Sequence, residues 1–318
     1  MYSLIIYIRN LLFDLKILKS KKFDIPIISV GNITVGGTGK TPHIEWLIRK
    51  YLPEKRVAVL SRGYKRKSKG FVLADENSTA QTIGDEPFQI HQKFPEILVA
   101  VDKNRVGGVE KLLALPNPPE IILLDDAFQH RKITPSHQIL LVDYNRPIFD
   151  DKILPYGRLR EFACGIKRAN EIIVTKCPEN ISENEKEYFV EKILKYKQIP
   201  LHFSTFEYSV PKNIFTKEPM NIDEKYNFLV VTGVVNADGL YRYLEQFALS
   251  VDKMKFPDHH DFLEQDIKNI EKRYFSMKGD TLIITTEKDR SRLLSNPFIS
   301  DNLKEKIFYV EIAVKINN

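Results

Sequence analysis

The stretch Gly31-Asn32-Ile33-Thr34-Val35-Gly36-Gly37-Thr38-Gly39-Lys40-Thr41 is the strongest indication of the fold of this 318-residue chain. It lies between a predicted strand at 23–30 and a predicted helix at 42–51, which is the setting of a phosphate-binding loop. Glycines let the backbone approach phosphate groups, and the N–H groups at the start of a helix point at them. The common motif has glycine where this chain has Thr34, so a chance glycine-rich turn is the alternative. The flanking strand and helix favour nucleotide binding.

Lys40 is predicted to reach the β- and γ-phosphates, and the Thr41 hydroxyl is predicted to coordinate Mg²⁺. The full set of predicted nucleotide contacts in the loop is Thr34, Gly36, Gly37, Thr38, Gly39, Lys40 and Thr41. Guanine specificity usually comes with Asn-Lys-x-Asp or Thr-Lys-x-Asp. The nearest strings, TKCP at 175–178 and TEKD at 286–289, do not match, so the predicted nucleotide is ATP.

A second motif, IILLDDAFQH at 121–130, places Asp125 and Asp126 directly after a short aliphatic run typical of a buried parallel strand. Mg²⁺ commonly takes one or two carboxylates together with phosphate oxygens and water. We therefore predict that both aspartates bind the metal. Gln129 is predicted to orient the metal shell or the nucleotide. The alternative is an aspartate that only caps the following helix.

The order of predicted elements indicates the fold class. Strands alternate with helices, including helices at 88–94 and 107–115, and this predicts a P-loop NTPase-type parallel sheet flanked by helices over 23–205. Residues 201–217 alternate in polarity, and 206–220 are predicted to be an extended linker or ribbon. A further α/β alternation at 221–318 predicts a second, smaller domain.

The bulk composition leaves the partner open. The formal net charge of +6 suits nucleic acid, anionic lipid or a phosphorylated substrate. The two cysteines show no metal-ligand or disulfide spacing.

The N-terminal segment 1–22 is apolar but is interrupted by polar and charged residues, so it does not predict a membrane-spanning helix. One helical stripe and a run of lysines suit a helix lying in a membrane interface. A first helix packed into the core is the alternative. The stripe consists of Leu4, Ile8, Leu11, Leu15 and Leu18.

Taken together, the motifs resemble the tetraacyldisaccharide 4′-kinase (lipid A 4′-kinase) family of Gram-negative bacteria. The matching stretches occur in the family's order over most of the chain. They are GNITVGGTGKTP at 31–42, SRGYKRK at 61–67, GDEP at 84–87, NRVGG at 104–108, LLDDAFQH at 123–130, LPYGRLRE at 154–161 and FPDHHDF at 256–262.

The resemblance implies transfer of the ATP γ-phosphoryl group, with Mg²⁺, to the 4′-hydroxyl of a lipid A disaccharide 1-phosphate in lipopolysaccharide biosynthesis. It also implies a peripheral protein on the cytoplasmic face of the bacterial inner membrane, docked by the N-terminal helix. No nucleic-acid partner is expected.

The resemblance further assigns site residues. Asp85 matches the position of a general base, and His259 matches a histidine beside it, with His260 as the adjacent alternative. A contact between Asp85 and His259 would need the two domains to close on each other. Arg62 and Tyr64 match a stretch of the family near the acceptor. Arg105 and Arg160 match arginines that would neutralise phosphate on ATP or on the acceptor, and which arginine binds which stays open.

The alternative function is that of a molecular switch. The chain would then be a peripheral membrane P-loop ATPase that changes its binding partners on ATP hydrolysis and phosphorylates no acceptor. Such a protein needs the phosphate loop, Asp125 and the N-terminal helix. It has no use for an acceptor base, so Asp85 and Arg160 would be dispensable.

Overall fold

The computed structural model describes residues 2–317, and these divide into two compact units. The larger unit holds the described residues up to Phe206 together with the strand residues from Val314 onward. The smaller unit is Glu207–Ala313. Each unit is described by itself.

The helices and strands are numbered along the chain, and a 3₁₀ helix lies at Ala163–Arg168. They are α1 (Tyr2–Asp14), β1 (Ile27–Gly31), α2 (Lys40–Tyr51), β2 (Val57–Ser61), β3 (Val72–Leu73), α3 (Ala80–Ile83), α4 (Asp85–Lys93), β4 (Leu98–Val101), α5 (Arg105–Leu113), β5 (Ile121–Asp125), β6 (His137–Asp143), β7 (Glu171–Thr175), α6 (Glu183–Leu194), β8 (Leu201–Tyr208), β9 (Lys212–Asn213), β10 (Asn227–Thr232), α7 (Asp238–Leu244), β11 (Ser250–Lys255), α8 (Glu264–Ser276), β12 (Thr281–Thr286), α9 (Glu287–Leu293), α10 (Asp301–Lys304), β13 (Ile307–Val310) and β14 (Ile312–Asn317).

The larger unit is built on a mostly parallel sheet with the strand order β14-β8-β7-β6-β1-β5-β2-β4-β3. Strand β1 is central: Ile27 lies opposite Ile122 of β5, and Ile28 lies opposite His137 of β6. The predicted parallel sheet flanked by helices is confirmed. Because β1 and β5 are parallel neighbours, the phosphate loop and the acidic pair follow them at the same edge, where α/β proteins bind ligands.

Helices cover both faces of this sheet. On one face, Ile44 and Leu47 of α2 and Ile90 of α4 pack in one core cluster with Ile28. Val109 and Leu112 of α5 pack with the opposite face of the sheet. Since successive residues of a strand point to opposite faces, a strand covered on both sides reads as a continuous apolar run, as in the predicted strand at 121–124.

The smaller unit contains a second sheet with the order β11-β10-β12-β13-β9. Strands β10 to β13 are parallel, and β9 runs antiparallel to β13. The second α/β alternation of the sequence therefore forms a sheet of its own, as predicted.

Some element bounds differ from those predicted. Helix α1 ends at Asp14, earlier than the predicted segment 1–22, and Lys16 just beyond it has left-handed backbone geometry (φ 59°). Such a residue commonly terminates a helix. Helices α2, α4 and α5 begin earlier than their predicted starts, so Lys40, Asp85 and Arg105 are their first residues.

The region between the two predicted domains also differs. The predicted linker 206–220 contains the end of β8 and all of β9, so both sheets extend into it. The predicted second domain 221–318 ends earlier than expected, because the chain returns through β14 to lie beside β8 in the larger sheet. An edge strand that gains a partner has fewer unpaired backbone groups, and sequence periodicity does not say which strand supplies it.

Candidate active site

The phosphate loop connects the end of β1 to the start of α2. Gly39 precedes α2 with a left-handed backbone (φ 82°), and a Cβ at this position would lie 2.6 Å from the Phe206 ring. Glycine is therefore required there both by backbone geometry and by space. The side chain of Asn32 donates to the Thr38 hydroxyl at 2.7 Å and closes the loop on itself.

Residues outside the motif support the phosphate loop through hydrogen bonds to its backbone carbonyls. These residues were not identified from the sequence. His43 is buried, with Nδ1 2.7 Å from the Gly39 carbonyl and Nε2 3.1 Å from the Ser204 hydroxyl. Burial lowers the pKa of His43 to about 4. Since a carbonyl only accepts, the neutral ring donates from Nδ1. Lys176 donates to the Gly37 carbonyl and to Asp143.

The acidic pair lies at the end of β5. Asp125 is buried and accepts a hydrogen bond from the Ser61 hydroxyl at 3.2 Å. Burial raises the pKa of Asp125 to about 6, and the charge of Asp126 adds to the effect. Asp126 has a left-handed backbone (φ 47°) and lies 3.6 Å from Lys40 and 3.2 Å from Arg160. Burial opposes ionisation of Asp126, but Lys40 and Arg160 outweigh it and lower its pKa.

One carboxylate oxygen of the acidic pair has the environment expected of a Mg²⁺ ligand. The Oδ1 atom of Asp125 is buried and has no hydrogen-bond partner among the described residues 2–317. A buried acceptor without a partner is costly, and a cation beside it removes that cost. Within residues 2–317, no group of three or more His, Cys, Asp or Glu side chains could hold a metal. Mg²⁺ here would therefore use the aspartates, Thr41 and phosphate oxygens, which is an ordinary set for this ion.

Asp85, the predicted base, is the first residue of α4 and is partly buried. Gly84 before it has φ 96°, and a Cβ there would lie 3.1 Å from the Tyr64 carbonyl oxygen. The charge of the next residue, Glu86, contributes to the raised pKa of Asp125. The start of α4 is therefore electrostatically coupled to the acidic pair. Glu86 was not singled out from the sequence, and the acidic GDEP string was the signal that could have indicated it.

The predicted substrate-binding arginines occupy different environments. Arg105 is 2% exposed, and its guanidinium donates to the carbonyl oxygens of Asp102 at 2.7 Å and Asp125 at 3.3 Å. Burial lowers its pKa to about 10. This geometry favours a structural role for Arg105, tying the start of α5 to the end of β5. The predicted substrate contact at Arg105 therefore has no support from the structure.

Arg160 and the SRGY stretch at 61–64 are more accessible to a substrate than Arg105 is. The backbone N–H of Arg160 donates to the Ile33 carbonyl at 2.8 Å, which fixes the residue against the phosphate loop. Arg62 is exposed, and the Tyr64 side chain is 59% exposed, just beyond the end of β2. Both could contact an acceptor.

Gln129, predicted to orient the metal shell or the nucleotide, contacts the phosphate loop through a backbone carbonyl. Its side-chain amide donates to the Asn32 carbonyl at 2.7 Å and to the Glu161 carboxylate at 2.9 Å. It therefore ties the loop after β5 to the phosphate loop and to Glu161, so any effect on the nucleotide is indirect.

The predicted histidine lies in the smaller unit. His259 has a left-handed backbone (φ 60°), which is uncommon for a residue other than glycine and tends to occur at functional sites. Its Nε2 lies 3.1 Å from Lys288 Nζ, and its Nδ1 lies 3.3 Å from Arg292 Nη2. Arg292 in turn pairs at 3.1 Å with Asp289, which is fully buried.

The side chain of His260, the adjacent alternative, is engaged in contacts within the smaller unit. Its Nε2 lies 2.8 Å from Asp266, and its ring stacks on Phe256 with centroids 4.8 Å apart. These contacts favour His259 as the functional histidine. The Asp258–His259 pair of the motif has a separation of 3.6 Å. Asp85 and His259 belong to different units, and their pairing stays a prediction.

The chain is similar to proteins of one known family along its whole length. The profile of the tetraacyldisaccharide-1-P 4′-kinase family matches residues 1–318. Tetraacyldisaccharide 4′-kinase of Bacteroides thetaiotaomicron is 44% identical over 328 residues, covering 99% of this chain and 86% of that protein. The enzyme of the same name from Flavobacterium psychrophilum is 46% identical over 323 residues, covering 100% of this chain and 91% of that protein.

A solved structure shows the same fold. The crystal structure of LpxK from Aquifex aeolicus in complex with ATP matches with a TM-score of 0.74 and 31% identity, covering 100% of this chain and 92% of that one. Because the family profile spans the whole chain and the relatives match over nearly all of it, the chain belongs to the tetraacyldisaccharide 4′-kinase family.

Proposed function

We propose that this chain uses ATP to phosphorylate the 4′-hydroxyl of a lipid A disaccharide 1-phosphate. The observation that carries the proposal is the cluster of Lys40, Asp126 and Arg160 beside a glycine-rich loop, in a chain that matches a kinase family from end to end. The relative solved with ATP supports the choice of nucleotide.

Catalysis of phosphoryl transfer is mostly positioning and charge neutralisation. Lys40 and Arg160 bring two cations to the side of the loop where the γ-phosphate would lie, and Asp126 holds them there before ATP binds. The metal, carried by Asp125, Asp126 and Thr41, would neutralise further charge on the phosphates. The partnerless Oδ1 of Asp125 supports this assignment.

The acceptor hydroxyl needs a group to take its proton, and a general base typically contributes about 10²–10⁴-fold. We assign this role to Asp85, at the start of α4, with His259 supporting it. Arg62 and Tyr64, which are both exposed, would bind the acceptor. Arg160 stays on the phosphates, because it is fixed against the loop.

A membrane surface is the proposed location of the reaction, with α1 as the docking element. The predicted stripe does not pack into the core, since all its members are exposed, together with Ile5 and Tyr7. Exposed Lys16, Lys19 and Lys22 follow the helix and suit anionic head groups. Within the described part of the chain, no helix is long and apolar enough to cross a membrane. An interfacial helix that carries anionic-lipid contacts fits these facts.

The direct test uses radiolabelled ATP, Mg²⁺ and purified disaccharide 1-phosphate dispersed in detergent, with the product separated as a lipid. The expected result is a labelled bisphosphorylated lipid, and Lys40→Ala should abolish it because the γ-phosphate loses its loop cation. Hydrolysis of ATP with no labelled lipid would favour the switch ATPase and overturn the kinase proposal.

A further inference from the structure

The side chain of Glu161 joins separate parts of the larger unit. It is 2% exposed. Its Oε2 accepts hydrogen bonds from Arg168 at 2.7 Å and from Asn10 of α1 at 3.1 Å. Its Oε1 accepts from Gln129 at 2.9 Å. A buried carboxylate with several donors is held firmly, because each lost donor leaves part of its charge unsatisfied.

The same network continues to the phosphate site. Gln129 also donates to the carbonyl of Asn32, whose side chain closes the phosphate loop on Thr38. The residue before Glu161 is Arg160, which pairs with Asp126. Hydrogen bonds therefore run from α1 through Glu161 and Gln129 to the phosphate loop, and the peptide bond between Arg160 and Glu161 joins this network to the Arg160–Asp126 pair.

Helix α1 makes further contacts with this region through its inner side. Arg9 donates to the Gln129 carbonyl at 2.9 Å, and Arg131 donates to the Asn10 carbonyl at 2.8 Å. Phe13 is 7% exposed. The outer side of the helix is apolar and exposed, as described above.

The stability of α1 is therefore linked to the phosphate site. An isolated helix of 13 residues is marginal in water, whereas burial of its apolar side in a bilayer interface stabilises it. Whatever stabilises α1 also stabilises the hydrogen bonds of Arg9 and Asn10 to the loop after β5 and to Glu161.

We propose that docking of α1 on an anionic bilayer tightens the phosphate site, with Asn10 and Glu161 as the positioning residues that transmit the effect. This inference rests on the proposed docking of α1. Linkage requires reciprocity: a bilayer that strengthens ATP binding is itself bound more tightly when ATP is present, by the same factor. The enzyme would then hold ATP best where its lipid acceptor lies.

The test measures the dissociation constant of a fluorescent, non-hydrolysable ATP analogue with Mg²⁺, with and without vesicles of phosphatidylglycerol and phosphatidylethanolamine that contain no acceptor. Vesicle binding is measured in parallel by flotation. For the full wild-type chain, we expect vesicles to strengthen analogue binding by about fivefold, at the low end of typical coupling.

Asn10→Ala should float with the vesicles like the wild type, because the apolar side of α1 is unchanged, but should lose the vesicle-induced gain in analogue binding. Glu161→Gln should lose the gain as well. Asp14→Ala is the matched control: it removes a contact of α1 with Arg131 at 2.7 Å without touching Glu161 or Gln129, and it should retain the gain.

Two results would overturn the coupling: a full gain in both Asn10→Ala and Glu161→Gln, or a wild-type chain that binds vesicles with no gain. A wild-type chain that does not float with vesicles would overturn docking and coupling together. Phosphorylation of the detergent-dispersed acceptor is scored separately, so the kinase proposal can survive either failure.

Discussion

At the scale of single residues, two adjacent aspartates have opposite electrostatic environments. Burial first, and then the charge of Asp126, raises the pKa of Asp125 to about 6. Asp126 is also penalised by burial, but Lys40 and Arg160 outweigh that penalty and lower its pKa. The charged form of Asp125 is therefore strained until a cation reaches its partnerless oxygen.

This strain predicts a pH dependence of stability. The pKa of Asp125 is higher in the folded chain, at about 6, than its ordinary value of 3.8. The protonated carboxyl of Asp125 is therefore compatible with the folded state, and its contribution to stability is fully present below about pH 4. That contribution is lost as the pH rises through about 6 and the buried group ionises. Without metal, Asp125→Asn should be more stable than wild type at pH 7 by on the order of 2 kcal/mol.

Urea unfolding in the presence of a chelator, at pH 4 and at pH 7, checks this expectation. The two proteins should have nearly the same free energy of unfolding at pH 4. Equal stabilities at pH 7 would mean that the Asp125 charge is not strained in the folded state.

The assignment of the base to Asp85 predicts a different kinetic phenotype. Asp85→Asn keeps the size of the side chain but cannot accept a proton, so kcat should fall by at least about 10²-fold while ATP affinity stays near the wild-type value. Asp125→Asn removes a metal ligand, so added Mg²⁺ should partly restore its rate. A Mg²⁺ titration of both variants makes the comparison, and rescue of Asp85→Asn by metal would reassign Asp85 to the metal shell.

Among the secondary-structure elements, helix α1 has one side that packs against the protein and an opposite, apolar side that is exposed. Phe13 packs inward, whereas Leu4 and Ile8 are about half exposed on the outer side. Amphipathicity in the sequence located the stripe, but it did not say which side contacts the protein. The structure answers this because Arg9, Asn10 and Phe13 make the inward contacts.

The two sides predict two separable effects of substitution. Leu4→Glu combined with Ile8→Glu should weaken vesicle binding by at least about tenfold, since each buried apolar side chain contributes about 1.5–3 kcal/mol. The thermal stability of the double variant should stay near that of the wild type. Phe13→Ala should instead lower the free energy of unfolding by about 3 kcal/mol through the cavity it leaves. Flotation and thermal melts distinguish these outcomes, and loss of stability in the double variant would place the stripe in the core.

At the scale of the whole molecule, each unit gathers polar residues where its parallel strands end. The larger unit places the phosphate loop and Asp125 there. In the smaller unit, Gly233 follows β10, and Thr286 is the last residue of the neighbouring strand β12. The Gly233 N–H and the Thr286 hydroxyl both donate to the buried carboxylate of Asp289. That carboxylate holds Arg292, which reaches His259.

If Asp85 and His259 act as one catalytic unit, their effects should not add. Each of Asp85→Asn and His259→Ala should lower kcat, and the double variant should be little worse than the worse single variant. Steady-state kinetics on the detergent-dispersed acceptor provide the measurement. Multiplicative losses would show that the two residues act independently.

Much of the site was accessible from the sequence because it is local. The phosphate loop with Lys40 and the acidic pair after β5 are each contained in one short stretch, and parallel strand order brings their ends to one edge. The substrate contact predicted for Arg105 stays a prediction without structural support, since a motif position does not reveal that a guanidinium is buried against two backbone carbonyls. The sequence likewise did not reveal that Gln129, predicted to orient the metal shell or the nucleotide, donates to the Asn32 carbonyl and to Glu161.

The fold class, the family resemblance and the predicted chemistry of the phosphate loop follow from the amino-acid sequence, because each depends on residues close together along the chain. The residues that support that loop are visible only in the folded structure. His43 meets Ser204, Lys176 meets Gly37, and Glu161 meets Asn10, each across more than a hundred residues of chain. Such contacts depend on how strands and helices pack, and packing leaves no periodic signal in a single sequence.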